Sequence, residues 1–154
     1  MGVAEHLKRL SYELHTGREL EFMLERGKPL AYFNDAYPAD PDEEIFPIET
    51  FAPYVANGTF ECRDFVDLLT EPPPASHPQI RGTRRLFFAR PSEGWRIDAY
   101  ILLLRASERS GWSEGFERLE GRLLGYSDAE CDEWLETLRT SEHTRNWYWL
   151  RRKG

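Results

Sequence analysis

The sequence predicts a single α+β domain over residues 1–154, with N-terminal helices, a small and mostly antiparallel sheet around a central hairpin at 84–104, and two capped C-terminal helices. Three observations predict it. Apolar residues recur at helical spacing towards both ends of the chain, strand-like apolar runs fill the middle, and no internal repeat or linker divides the chain. The order helices, strands, helices favours α+β over a βαβ array.

Taken in order, Leu7, Leu10 and Leu14 place a first helix over Val3 to Leu14. Thr16 with Glu19 three residues later is a capping box for a second helix, whose apolar stripe is Leu20, Met23 and Leu24. Gly27 stops that helix and Pro29 cannot continue it. Leu30 to Phe33 reads as a short buried strand, and Asn34 to Pro47, with Pro38, Pro41 and Pro47, as an exposed loop. Thr50 to Ala56 has two readings: a short helix ended by Asn57-Gly58, or the first arm of a hairpin turned by that dipeptide into Thr59 to Phe65. Glu71 to Pro78 holds three consecutive prolines and is a stiff connection. Arg84 to Ala89 and Trp95 to Leu104 flank a five-residue turn and are expected to pair, the second as a central strand because Ile101 to Leu104 is continuously apolar. Ser113 opens a helix with Phe116, Leu119, Leu123 and Leu124 on one side, and Gly125 ends it. Ser127 and Glu130 form a second capping box, opening a helix with Trp134, Leu135 and Leu138.

Charge is placed unevenly. The chain has 27 acids and 20 bases. Between Pro29 and Cys62 there is no lysine or arginine, yet that stretch holds seven acids, which leaves the remainder with 20 of each. The same stretch holds seven aromatics, of which Phe33 and Phe51 suit the core. The acidic loop at 34–49 is therefore the candidate partner-binding surface. Its members are Asp35, Asp40, Asp42, Glu43, Glu44 and Glu49, with Tyr37 and Phe46 as exposed apolar anchors. Rings surrounded by carboxylates suit a basic protein surface, the rings by burial and the charges by steering.

Several chemistries are not expected. Gly111-Trp112-Ser113-Glu114-Gly115 has the form of a nucleophile elbow, but no strand runs directly into it, and Ser113 reads better as a helix cap. His6, His15, His77 and His143 lack ligand spacing with one another or with Cys62 and Cys131, so no metal site is predicted. Asp40 to Glu44 clusters carboxylates without the glycine and spaced glutamate of a calcium loop. No glycine-rich phosphate cradle is present, and no cofactor is predicted. Both cysteines sit among acids, which disfavours a thiolate. The tail, Arg145 to Lys153, interleaves Trp147, Tyr148 and Trp149 with cations, but a pI near 5.2 argues against direct nucleic-acid binding. No apolar run approaches the length that spans a bilayer and no export signal is read, so a cytoplasmic protein with reduced thiols is expected.

The function these features favour is a non-catalytic, regulatory or inhibitor-type domain engaging a basic protein partner. The alternative is an enzyme or small-ligand-binding protein with a cleft that no motif reveals, in which a buried acid paired with Arg85 or Arg96 is one conceivable element. A homo-oligomer through the C-terminal helices, with Trp112 and Trp134 in the interface, is compatible with either.

Overall fold

The computed structural model describes residues 10–40 and 46–140. Five helices and three strands follow in the order α1 (Glu19–Glu25), β1 (Leu30–Tyr37), α2 (Ile48–Ala56), β2 (Glu61–Leu68), β3 (Gly82–Ala89), α3 (Trp95–Ser110), α4 (Glu114–Leu124) and α5 (Asp128–Thr140). The predicted α+β class is what this order shows. The three strands form one antiparallel sheet in the order β1-β3-β2, with Phe33 opposite Leu86 and Cys62 opposite Phe88.

The central strand β3 decides the layering. Its successive residues Phe87 and Phe88 point to opposite faces, as the pleat requires. Phe88, Leu86, Ala31 and Phe60 meet Met23 of α1 and Phe51 of α2 on one face. Leu30, Phe87 and Ala89 meet Ile97 and Tyr100 of α3 on the other. Both faces of the sheet are thus covered, which is why the Leu86 to Ala89 segment is wholly apolar and buried rather than alternating. Helix α4 packs against α3, and α5 packs against α4 through Cys131, Leu135 and Leu138. Among the described residues no helix is long and apolar enough to cross a membrane.

The caps near the C-terminal end stand as predicted. Ser113 Oγ accepts from the Phe116 amide at 3.2 Å, so it is a helix cap and follows helix α3 rather than a strand. Ser127 and Glu130 bond reciprocally, at 3.1 and 2.8 Å. Gly125 ends α4 at φ 102°, a left-handed turn that glycine takes without strain. Thr50 to Ala56 is helical, and Asn57 closes the turn after it by accepting from the Thr59 amide at 2.9 Å.

Four expectations are corrected. The hairpin at 84–104 is a strand followed by a helix: Trp95 to Ser110 is α3. Its buried residues Ile97, Tyr100 and Leu103 recur at helical spacing, whereas Leu102, in the middle of the apolar run, is 70% exposed. The α4 stripe does not face the domain throughout, since Leu119 is 53% exposed and the helix buries Glu117 and Glu120 instead. The Thr16 capping box does not form. Helix α1 begins at Glu19, whose carboxylate accepts from the Gly17 amide at 3.1 Å. Residues 10–14 are not helical, and the rest of the predicted first helix lies outside the described residues, as do His6, His143 and the aromatic tail.

Candidate functional site

The predicted acidic surface is only partly where the sequence placed it. Asp42, Glu43 and Glu44 lie outside the described residues. Asp35 belongs to strand β1, which runs on to Tyr37 instead of ending at Phe33. Its carboxylate accepts from the Ala36 amide, and its register partner on β3 is Arg84. The charge asymmetry along the chain is thus softened at one point in space, because β3 lays Arg84 opposite Asp35, the one acid of β1. Phe46 is not an exposed anchor. It is 9% exposed, packed in the core under the Arg84 guanidinium, 4.9 Å from its ring. Burial of its ring outweighs the polarity of its neighbours in sequence. Tyr37 remains exposed at 40%, and Glu49 is exposed at the start of α2. Beside Tyr37, a depression of about 540 Å³ is bordered by Asp35, Pro38, Asp40 and His77.

The second predicted surface, at the C-terminal helices, turns inward. The indole N–H groups of Trp112 and Trp134 both donate to the Glu117 carboxylate, at 2.6 and 2.9 Å. Tyr100 donates to Glu120 one turn further along α4. These carboxylates hold α3, α4 and α5 together. The pairing of Arg85 with a partly buried acid is present: Arg85 and Asp67 pair with side chains 15% and 17% exposed, Arg105 also reaches Asp67 at 2.5 Å, and Arg85 donates to the Tyr32 hydroxyl at 2.5 Å. Bonds from Arg85 and Arg105 hold the Asp67 carboxyl below its ordinary pKa against the opposing effect of burial. This network ties the β2–β3 edge to α3. Neither thiol is activated, since burial pushes both the Cys62 and the Cys131 thiol up.

A different cluster has the features of a site. The turn between α1 and β1 carries Lys28, which is 5% exposed. Its amine donates to the Leu124 carbonyl at 2.6 Å and bonds His15 Nδ1 at 2.8 Å. The His15 ring stacks on Tyr126, centroids 3.8 Å apart, and meets Phe22 edge-on at 5.1 Å. The His15 amide donates to the Tyr126 hydroxyl at 2.8 Å, and Tyr12 closes the stack from the other side of Tyr126. The result is a cleft of about 500 Å³ with Tyr12, His15, Arg26, Lys28 and Glu130 in its lining, within the size range of small-ligand sites.

Local sequence explains the placement. Gly27 at φ 73° turns the chain out of α1 so that the next residue faces back, and the Lys28 amide bonds to the Phe22 carbonyl. Gly125 must lack a side chain here, because a Cβ would lie 2.6 Å from Pro29 Cδ. The last carbonyls of α4 collect cations: Arg96 takes Arg122 and Leu123, and Lys28 takes Leu124.

The electrostatics of the cleft are perturbed for one main reason, burial. Lys28 is pushed down to about 7, with only Glu19 opposing. His15 is pushed down to about 3 by burial and by the neighbouring Lys28 charge. Tyr126 is pushed up to about 12 and Tyr12 further still, again chiefly by burial. Burial thus favours the uncharged form of every one of these groups, the amine, the imidazole and both phenols. Such displaced values gathered in a cleft mark functional sites more often than ordinary surface.

The sequence carried a signal for this site that motif-searching passes over. The chain has three lysines, Lys8, Lys28 and Lys153, against 17 arginines. Lys28 is the one lysine among the described residues, and it is buried. Either side chain can cap a helix, but only lysine can lose its proton at working pH.

The chain matches no protein family, no curated protein and no solved structure.

Proposed function

We propose that this protein binds a small polar ligand in the cleft between the α1–β1 turn and the C-terminal end of α4, with Lys28 as the group that engages it. The observation that supports this reading is a desolvated amine whose described partners are a carbonyl and an imidazole, in a cleft that Arg26 also lines. Capping α4 accounts for one bond of Lys28 but not for the choice of lysine in a chain with 17 arginines and three lysines. A partly neutral amine both donates and accepts, so it suits a ligand oxygen or carbonyl better than a fixed charge does.

The test is a titration of the protein with pyruvate and with inorganic phosphate, followed by backbone amide resonances. The expected outcome is saturable shifts centred on Tyr12, His15, Arg26, Gly27 and Gly125, weakened about tenfold in Arg26→Gln, a change worth about 1.4 kcal/mol. Shifts scattered over the surface, or none up to millimolar concentrations, would remove the reading.

A second reading is supported by Tyr37. An exposed ring beside Asp35 and Asp40 suits a lysine or arginine side chain of a basic partner, by charge and by cation–π contact. The surface is the described part of the acidic stretch without Phe46. Replacing Asp35 and Asp40 by lysine should slow capture of such a partner and flatten its salt dependence, and unchanged capture would exclude it.

A further inference from the structure

We propose that Lys28 is a carbonyl-reactive amine that captures a small 2-oxo acid as an imine, with Arg26 holding the acid's carboxylate. This rests on the ligand-cleft reading and adds the ligand class and the bond formed.

Valence carries the first step. A neutral amine has two N–H bonds and one lone pair. Lys28 donates one N–H to the Leu124 carbonyl at 2.6 Å; with His15 as its Nε2–H tautomer, Nδ1 accepts the second at 2.8 Å, and the lone pair is left for a third partner. His15 is a positioning residue: its ring is fixed between Tyr126 and Phe22, and it fixes the amine in turn. Arg26 carries the second step. Its guanidinium lies 4.4 Å from the Phe22 ring centroid and pairs at 2.8 Å with Glu13, whose side chain is 54% exposed. An exposed pair of this kind is worth little and exchanges readily for a ligand carboxylate. Glu130, the other acid of the cleft, is engaged by the Ser127 amide. Composition carries the third, because the position is filled by one of only three lysines in a chain with 17 arginines.

The chemistry balances without an oxidant or co-reactant. The amine lone pair attacks the ligand's carbonyl carbon, a C–N bond forms, and the C–O π pair moves to oxygen. Both amine protons leave with that oxygen as water, and the C=N bond remains. The attacking form is the neutral amine. Burial lowers Lys28 and Glu19 of α1 opposes it; the other groups that face it in the cleft are Tyr12, Glu13 and His15 from the N-terminal segment, Arg26 just after α1, and Tyr126 and Glu130 beyond α4.

The experiment is reductive trapping of the full chain with pyruvate or glyoxylate and cyanoborohydride, read by intact mass and peptide mapping. The other two lysines and the terminal amine serve as internal comparison, so the central result needs no variant. The expected result is an adduct on Lys28 formed at least tenfold faster than on Lys8 or Lys153, with a rate that levels off above about pH 7. Lys28→Arg, which keeps a cation at the end of α4, loses the adduct. Lys28 labelled no faster than the other two overturns the proposal. Resonance shifts in the cleft with unreduced pyruvate, but no trapped adduct, overturn the imine and leave the ligand-cleft reading standing. Absence of both removes the two together.

Discussion

Glu117 is a buried carboxylate on a helix that would ordinarily bury leucine. Two indole N–H groups converge on it, from Trp112 five residues earlier and from Trp134 on the next helix. The helical stripe of α4 was expected at Phe116, Leu119, Leu123 and Leu124, and periodicity alone cannot see that the apolar surface facing Glu117 belongs to tryptophans that need an acceptor. A buried donor left unsatisfied costs about 1–3 kcal/mol, and removing Glu117 orphans two. Glu117→Ala should therefore destabilise the protein by about 3 kcal/mol, and Glu117→Gln, which keeps one acceptor oxygen, by about half of that. Urea unfolding measures both, and tryptophan emission reports whether the indoles become wetter. Equal, small losses would mean that water satisfies the indoles and that the clamp is incidental. At this scale the sequence named the two tryptophans but not the acid they share, because the contact between α4 and α5 is made across a turn and not within a periodic pattern.

Elements were legible where a side chain writes the local rule. Ser113, Ser127 and Gly125 mark ends of helices through bonds or torsions that depend on a few adjacent residues, and each stands as read. Helix α3 was not legible. Its run Ile101 to Leu104 is apolar on all sides because Leu102 and Trp95 project from the domain, and an apolar face left open hides a helical period. The left-handed ends give an element-scale prediction. Gly111 and Gly125 both have positive φ, 77° and 102°, but a Cβ at Gly111 meets nothing within 4 Å, whereas one at Gly125 lies 2.6 Å from Pro29 Cδ. Gly111 combines φ 77° with ψ 171°, a region open essentially to glycine alone, so Gly111→Ala should cost about 1–3 kcal/mol in torsional strain. Gly125→Ala should cost about 1 kcal/mol for its milder left-handed turn and about 1–3 kcal/mol more for overpacking, because the α1–β1 turn must move away from α4. That displacement also pulls Lys28 from Leu124, so Gly125→Ala should disturb the amide resonance of His15 and Gly111→Ala should not. A cost at Gly125 of only about 1 kcal/mol, with the His15 resonance unmoved, would show that the cleft wall yields freely and that the turn is not held where the Lys28 geometry needs it.

At the scale of the whole molecule, the linear charge pattern and the folded charge pattern differ. The acids of residues 29–62 are contiguous in sequence, but β1 lies beside β3, which sets Asp35 opposite Arg84, and the acids of β2 just beyond that stretch, Asp64 and Asp67, pair with Arg84, Arg85 and Arg105. The cleft is the reverse case: Tyr12, His15, Lys28 and Tyr126 are dispersed along the chain, and the packing of the N-terminal segment against the end of α4 assembles them. That assembly has a consequence for stability that no single element carries. His15 is lowered from 6.5 to about 3, so between those values the unfolded chain binds a proton that the folded protein does not, and stability rises with pH across that window. Lys28 is lowered from 10.5 to about 7, and by the same sign stability rises again from pH 7 towards 10.5. Tyr126 is raised from 10.0 to about 12, so above pH 10 the unfolded chain loses protons that the folded protein keeps, and stability falls. The raised Cys62 and Cys131 thiols oppose Lys28 from about pH 9 upward, so the maximum should lie at about pH 9, above the usual range of about 5–8. Urea midpoints at intervals from pH 5 to 11 check this. The slope between pH 7 and 9 should approach its one-proton limit of about 1.4 kcal/mol per unit and should vanish in Lys28→Met, even if that variant is less stable throughout. A wild-type curve flat or falling between pH 7 and 9 would show that Lys28 stays charged in the fold, and the amine would then be a helix cap without the neutral form that ligand capture requires.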